Sequence, residues 1–343
     1  MVNPVLVQVF RGETVESFHR GSVAMVDGDG ALVCALGDVE RPVFPRSAVK
    51  LLQALPLVAS GAADRLGLTD DELALACASH NGEERHVHTA AGMLAKAGVD
   101  AAVLECDAHW PGLDSAARAL AAAGAAPSAL HNNCSGKHAG FVCLGCLLAG
   151  DDDPMRRLRG YVQPEHPVMR EVSAALQAAT GCDLQHALRG TDGCSMPAFA
   201  IPLRRLALAF ARVATGRGLQ PGHATAAQRL RAAIAHAPYM VAGSGRFDTR
   251  VMERGAARVL QGGRRRRVLR CPARPGPGRR DQDGRRQQRP RGRGGDGGAG
   301  RGAAAAGRCR RALHARVQAA LKNWNGIEVG RLAAHEGLRA LRA

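Results

Sequence analysis

Between Gln261 and Arg311 the chain carries 17 Arg and three Asp, with Gly and Pro among them, no aromatic residue and almost no aliphatic one. Such a stretch has too little apolar surface to build a core of its own. Any fold must therefore be made by residues 1–260, which read as ordinary globular sequence, with globular character returning from about Leu313 to Leu341. The same segment contributes +14 of the net charge of +17, leaving +3 for everything else. The basicity is local. An Arg-rich nucleic-acid-binding protein is a remote alternative on this ground, because no aromatic side chains interleave the charges.

The 343 residues, 46% of them hydrophobic, are ample for a core. No secretory leader is recognisable and no apolar run reaches membrane-spanning length, so a cytoplasmic protein is expected. The ten Cys lack framework spacing, which favours reduced thiols over disulfides. Cys143 and Cys146 form a C-x-x-C, but inside an apolar helical run where a buried-core role outweighs a redox one.

Apolar patterning predicts strands over about Val5–Phe10, Ser22–Val26 and Ala31–Leu36, and then mostly helices. Thr69-Asp70-Asp71-Glu72 is a capping box that starts one helix. Others are expected over Glu83–Ala97, Ser115–Ala123, Gly136–Leu148, His166–Thr180, Ala198–Thr215 and Ala224–His236. Few strands with many helices between them point to a mixed α/β body.

Of the 47 basic residues only four are Lys, and two of these stand in polar motifs. An amine can lose its proton when buried, whereas guanidinium stays charged. In Ser47-Ala48-Val49-Lys50, following Pro45, the two functional groups would lie one turn apart on one helix face, where the amine can take the hydroxyl proton. An exposed helix start would look the same. In Ala78-Ser79-His80-Asn81-Gly82-Glu83, Ser79 is a second candidate hydroxyl. His80, His86 and His88 could be metal ligands or capping and solvated groups, although residues two apart on a helix face different ways. Asn132-Asn133-Cys134-Ser135-Gly136-Lys137-His138 packs amides, a thiol, a flexible Gly and an amine ahead of an apolar helix. Gly190-Thr191-Asp192-Gly193-Cys194-Ser195-Met196-Pro197 is another polar turn; with the first it could complete a soft-metal site or simply bury a thiol.

Together these segments resemble the bacterial L-asparaginase family of the rhizobial inducible type, asparaginase II-like, with a fold of the serine β-lactamase and glutaminase kind. The resemblance runs through Arg41 to Lys50, Ala78 to Glu83, Asn132 to Phe141, Gly190 to Pro197, Pro238 to Thr249 and Asn323 to Gly330. It implies an α/β (α+β) single domain, a central antiparallel sheet with helical layers, over the whole of 1–343, family-like in 1–260 and about 313–343. It implies hydrolysis of L-asparagine to L-aspartate and ammonia, with Ser47 as nucleophile, Lys50 as its base and Ser79 as a second active-site hydroxyl. It further implies zinc on Cys134, Lys137 and Cys194, support or substrate binding by Arg46, Asn133 and Asp192, and a homodimer. A glutaminase or other serine amidohydrolase stays open, because one methylene in the substrate is beyond this reading. A penicillin-recognising serine hydrolase shares S-x-x-K but not the two cysteine turns.

The family pattern breaks at the basic segment. After Arg258-Val259-Leu260 the family continues with a strand of the form K-A-G-A-E-G-V-Y and then K-x-D-D-G. Codons for Gln261 to Ala273, read one base later, can spell K-A-G-A-E-G-V-Y-C-A-A-L-P, and those from Arg280 to Gln287 can spell A-I-K-M-D-D-G. Residues 261–311 are therefore expected to be a frameshifted, irregular stretch, with the frame restored before Leu321. A real frameshift removes a lysine expected beside Ser79 and at least two core strands, leaving a poorly folded region and a weakly active enzyme or an inactive pseudo-enzyme. A sequencing error leaves a normal enzyme in the cell.

Overall fold

The structure, a computed structural model, describes residues 2–150, 153–254, 259–263, 267–271 and 319–336. The expectation for 272–311 lies outside the described residues.

The chain opens with β1 (Val5–Arg11) and β2 (Thr14–Arg20), then β3 (Val23–Val26), β4 (Leu32–Leu36) and the short β5 (Pro42–Val43). Helices follow: α1 (Lys50–Gln53), α2 (Leu55–Ala59), α3 (Ala62–Arg65), α4 (Asp70–Ala76), α5 (Glu84–Lys96), α6 (Asp114–Ala122), α7 (Ser135–Ala149), α8 (Pro154–Leu158) and α9 (Pro167–Thr180). Three short strands, β6 (Arg189–Thr191), β7 (Pro197–Phe199) and β8 (Ile201–Pro202), precede α10 (Leu203–Thr215), α11 (Pro221–His236), α12 (Pro238–Ala242) and α13 (Phe247–Glu253). Last come β9 (Val259–Gly263), β10 (Arg267–Cys271), β11 (Ala320–Lys322) and β12 (Glu328–Ala334).

This is a mixed α/β architecture with antiparallel pairing. The largest sheet has the order β11-β12-β1-β2 and joins the two ends of the chain, with Val7 opposite Ala334 and Arg11 opposite Gly330. Among the described residues the hydrophobic core is built mainly by helices, starts at Ala48 and takes no side chain from β1 or β2. β2 is exposed along its whole length. Its Val15 and Phe18 break strict alternation, so apolar patterning carries no strand signal there; the hairpin through Gly12, at φ +56°, sets it against β1 instead.

Two expectations are corrected. The helix expected from Ala198 begins at Leu203, because Pro197 and Pro202 hold the backbone extended in β7 and β8. The segment from 261 is not irregular throughout: β9 and β10 form an antiparallel pair, with Gln261 opposite Leu269. Such pairing uses backbone groups, which a poor apolar composition does not remove. β9 runs beside the turn that carries Ser47.

The expected capping box of α4 is present. Thr69 N–H donates to Glu72 Oε2 at 2.7 Å and Glu72 N–H to Thr69 Oγ1 at 3.4 Å. Lys96 Nζ reaches the same Glu72 Oε2 at 2.6 Å, which gives that lysine a structural task. The core reading of Cys143 holds too: it is fully buried, and burial pushes its thiol up to about 12.

Candidate active site

Ser47 sits in a 3-10 turn, Arg46–Val49, that leads from Pro45 into α1. Arg46 is held at φ +56°, a left-handed conformation that costs a non-glycine residue about 1–3 kcal/mol. The tight turn leads from Ser47 directly into α1, which begins at Lys50. Lys50 is 2% exposed, while Ser47 remains reachable from solvent.

The amine does not bond Ser47 directly. Lys50 Nζ lies 2.9 Å from Ser79 Oγ, and Ser79 Oγ lies 2.8 Å from Ser47 Oγ. Two backbone carbonyls also accept from Lys50, Ala78 O closely and Asn133 O at 3.4 Å. Burial lowers the Lys50 amine below the ordinary lysine value, against the opposing pull of the Cys134 thiolate.

Ser79 follows α4 in a loop fixed at several points. Ser79 N–H donates to Val241 O at 2.9 Å, and Asn81 Nδ2 donates to Glu83 Oε1 and Ser244 O at 3.3 and 3.1 Å. Gly82, at φ +73°, lets this loop press on the next turn, since a Cβ there would lie 2.6 Å from His131 O. In that next turn Asn132 Nδ2 donates to Cys106 O and Asp107 O, while its Oδ1 accepts from Cys134 N–H at 2.9 Å. His109 Nε2 accepts from Asn133 N–H at 2.9 Å. Asn133 meets Lys50 through its backbone carbonyl, while its Oδ1 lies 3.2 Å from His109 Nε2.

Gly136 is not a flexible link. It lies in the first turn of α7, where a Cβ would stand 2.3 Å from Leu75 Cγ and 2.5 Å from Leu75 O on α4. That close approach brings Lys137 and Cys134 into the interior beside Lys50.

The two cysteine turns meet. Lys137 Nζ is 3.0 Å from Cys194 Sγ and 2.7 Å from Met196 Sδ. The Cys194 thiol hydrogen-bonds to Cys134, which together with the two buried amines holds the Cys134 thiol well below its usual range, against the cost of burial. The Cys194 thiol is correspondingly raised by giving that bond and by burial. Burial pulls the Lys137 amine down, but the Cys134 thiolate and Cys194 overcome it and hold it above the ordinary value. Asp192 lies one turn away, paired with Arg46 at 2.9 Å. The donor set of two thiols and one amine fits a thiophilic cation, provided coordination displaces the amine proton.

The three histidines do not converge on a metal. His80 and His86 stack at 4.7 Å and their ring nitrogens face Gly82 N–H, Ser135 Oγ, Glu83 N–H and Tyr239 O, while His88 is exposed. Burial lowers the pKa of both stacked rings. Among the described residues no group of three or more His, Cys, Asp or Glu is placed to hold a metal.

Ser47, Lys50, Ser79, Cys134, Lys137, Cys194, Arg46, Asn133 and Asp192 stand at or beside this site, whereas His88 is exposed. Met196, Asn132 and His109 were missed. Met196 was legible only as the second residue after Cys194 in an extended turn, and His109 lies in a loop without a motif.

The L-asparaginase II family matches residues 7–263 of the chain. The chain belongs to that family, and with it to the amide hydrolases. No curated protein matches it. No described helix is long and apolar enough to cross a membrane.

Proposed function

We propose that the protein is an L-asparaginase of the serine type, hydrolysing the side-chain amide of L-asparagine to aspartate and ammonia. The observation that carries this is the hydroxyl chain from Ser47 through Ser79 to Lys50, at 2.8 and 2.9 Å. A neutral Lys50 has two N–H bonds and one lone pair. Its N–H bonds face Ala78 O, Asn133 O and Cys134, and turning the Ser79 hydroxyl toward the amine lets the lone pair take the Ser79 proton. Ser47 then attacks the amide carbon while its proton passes to Ser79 and that of Ser79 to Lys50. The protonated amine returns a proton to the departing ammonia, and water reverses the path to release the acyl group. Lys50 acts as base for Ser47 through Ser79, which refines the direct contact expected from S-x-x-K.

The Arg46–Asp192 pair beside Ser47 offers one charge of each sign, complementary to the α-carboxylate and α-ammonium of an amino acid. Zinc remains the proposed ion, held by Cys134, Lys137 and Cys194, where it would supply positive charge near the reacting amide. Homodimer assembly and a serine β-lactamase or glutaminase-like fold are proposals on the same footing, as is a cytoplasmic location. Light scattering would test the first of these, with a monomer refuting it.

Impairment of the chain as written is part of this reading. The family match stops at residue 263, and the strand beside the Ser47 turn carries Gln261 where the family pattern has lysine. The test compares ammonia release from L-asparagine and L-glutamine by the literal chain and by a chain with 261–311 re-encoded one base later. Strong turnover of asparagine by the second and weak turnover by the first is expected. Normal turnover by the literal chain overturns the impairment; no ammonia from either chain overturns the asparaginase reading, and preference for glutamine replaces it with a glutaminase.

A further inference from the structure

Lys50 is held between two loops, through Ala78 O and Asn133 O, and a third loop ties those two together. This third loop, residues 105–112, carries no motif. It meets the turn before α7 through Asn132 Nδ2, which donates to Cys106 O at 2.6 Å and to Asp107 O at 2.9 Å. It meets the Ser79 loop through Gly112 N–H, which donates to Asn81 O at 2.7 Å. Asp107, at φ +58°, turns the chain between these anchors.

His109 stands in the middle of the loop. Its Nδ1 lies 2.7 Å from Trp110 O, and a carbonyl can only accept, so Nδ1 carries the proton and Nε2 a lone pair. That lone pair takes Asn133 N–H at 2.9 Å. Asn133 Oδ1, 3.2 Å from the same nitrogen, could be bonded only by a cationic ring, which would lose Asn133 N–H; the two bonds exclude each other. The neutral ring is therefore the form that holds the Asn133 backbone. On its other side the Asn133 carbonyl accepts from His80 N–H at 3.2 Å and from Lys50 Nζ at 3.4 Å. The setting of residue 133 thus decides where Lys50 can place an N–H bond, and so where its lone pair points.

We propose that His109 is a positioning residue for the base: by accepting Asn133 N–H it keeps the Asn133 carbonyl against Lys50 and the amine's lone pair toward Ser79. This rests on the reading of Ser47 and Lys50 as nucleophile and base. His109 is only partly buried and Trp110 beside it is exposed, so the ring fills no core space that its loss would empty.

The test follows, by mass spectrometry, how fast an alkyl fluorophosphonate labels Ser47 in the full chain. Ser47 Oγ bonds to phosphorus, the P–F bond breaks to release fluoride, and the hydroxyl proton passes through Ser79 to Lys50. The limiting rate then reports the base, and the half-saturating concentration reports access. His109→Ala should lower the limiting rate by about 10–100-fold, with less than about a threefold change in the half-saturating concentration. His109→Gln, whose side-chain oxygen can accept in place of Nε2, should return to within about threefold of the unmutated rate. Rates are taken well below the melting temperature of each variant, so that loss of folded protein does not enter. An unmutated rate in His109→Ala, or a Gln variant as slow as the Ala variant, overturns the role of His109 and leaves Ser47 and Lys50 in place. Absence of label on Ser47 in the unmutated chain overturns the reading of nucleophile and base, and this proposal with it, a result distinct from the others.

Discussion

Gly136 and Gly92 offer a test in which local propensity and tertiary packing disagree in sign. Both lie inside helices, where replacing Gly by Ala gains about 0.5–1 kcal/mol from backbone entropy alone. At Gly92 a new Cβ meets nothing nearer than Glu72 Oε1 at 3.8 Å. Gly92→Ala should therefore stabilise by about that amount. At Gly136 the Cβ would sit 2.5 Å from a backbone oxygen and 2.3 Å from Leu75 Cγ, so the first turn of α7 must retreat from α4 by several tenths of an ångström or more. Overpacking of this kind costs about 1–3 kcal/mol or more, and the obstructing atom is backbone, which has no rotamer to escape into. A net loss of about 2 kcal/mol is expected for Gly136→Ala, lowering Tm by about 3 °C in a chain of this size. Urea titrations with unchanged slope would report it cleanly. A Gly136→Ala protein as stable as Gly92→Ala would refute the close approach of α7 to α4, and with it the placement of Lys137.

Other outcomes follow from the same geometry. In the frame-restored chain Ser79→Ala should lower kcat by about 10²–10⁴-fold, because it removes the hydroxyl between Lys50 and Ser47; an unchanged rate would mean direct transfer. Lys50→Arg should abolish turnover, and the unmutated rate should fall as pH drops through a Lys50 pKa below the ordinary lysine value. His80 and His86 have lowered folded-state pKa values, so their neutral forms are favoured on folding. Their stabilisation is present above the unfolded value of about 6.5 and is lost progressively as pH falls below it, which a series of urea midpoints would reveal. Thr69→Ala should cost about 0.5–2 kcal/mol through loss of the α4 cap, read as a lower Tm.

Legibility in the sequence followed the range of the interaction. The α4 cap and the helices α5, α7, α9 and α11 were readable because capping and helical periodicity are local. β2 was invisible because an exposed edge strand needs no apolar alternation. The S-x-x-K spacing announced Ser47 and Lys50, but the amine reaches the nucleophile only through Ser79, whose position depends on bonds to Val241 and to residues beyond it. Cys134, Lys137 and Cys194 were nameable from their turns. That Met196 joins them, and that Gly136 is packed rather than flexible, depend on α4 and on the left-handed Ser195, neither of which leaves a periodic trace.

The pairing of β1 with β12 sets a schedule on synthesis. Arg331 and Glu13, bonded across this sheet, are separated by 318 residues, so at ribosomal speeds of 5–20 residues per second the first strand waits roughly 15–60 s for its partner. During that interval only β2 can cover one of its edges, and the helices from α1 to α13 condense first. The β1 edge that β12 covers therefore stays open until the last strand leaves the ribosome, and a truncation anywhere before β12 would leave that edge open permanently.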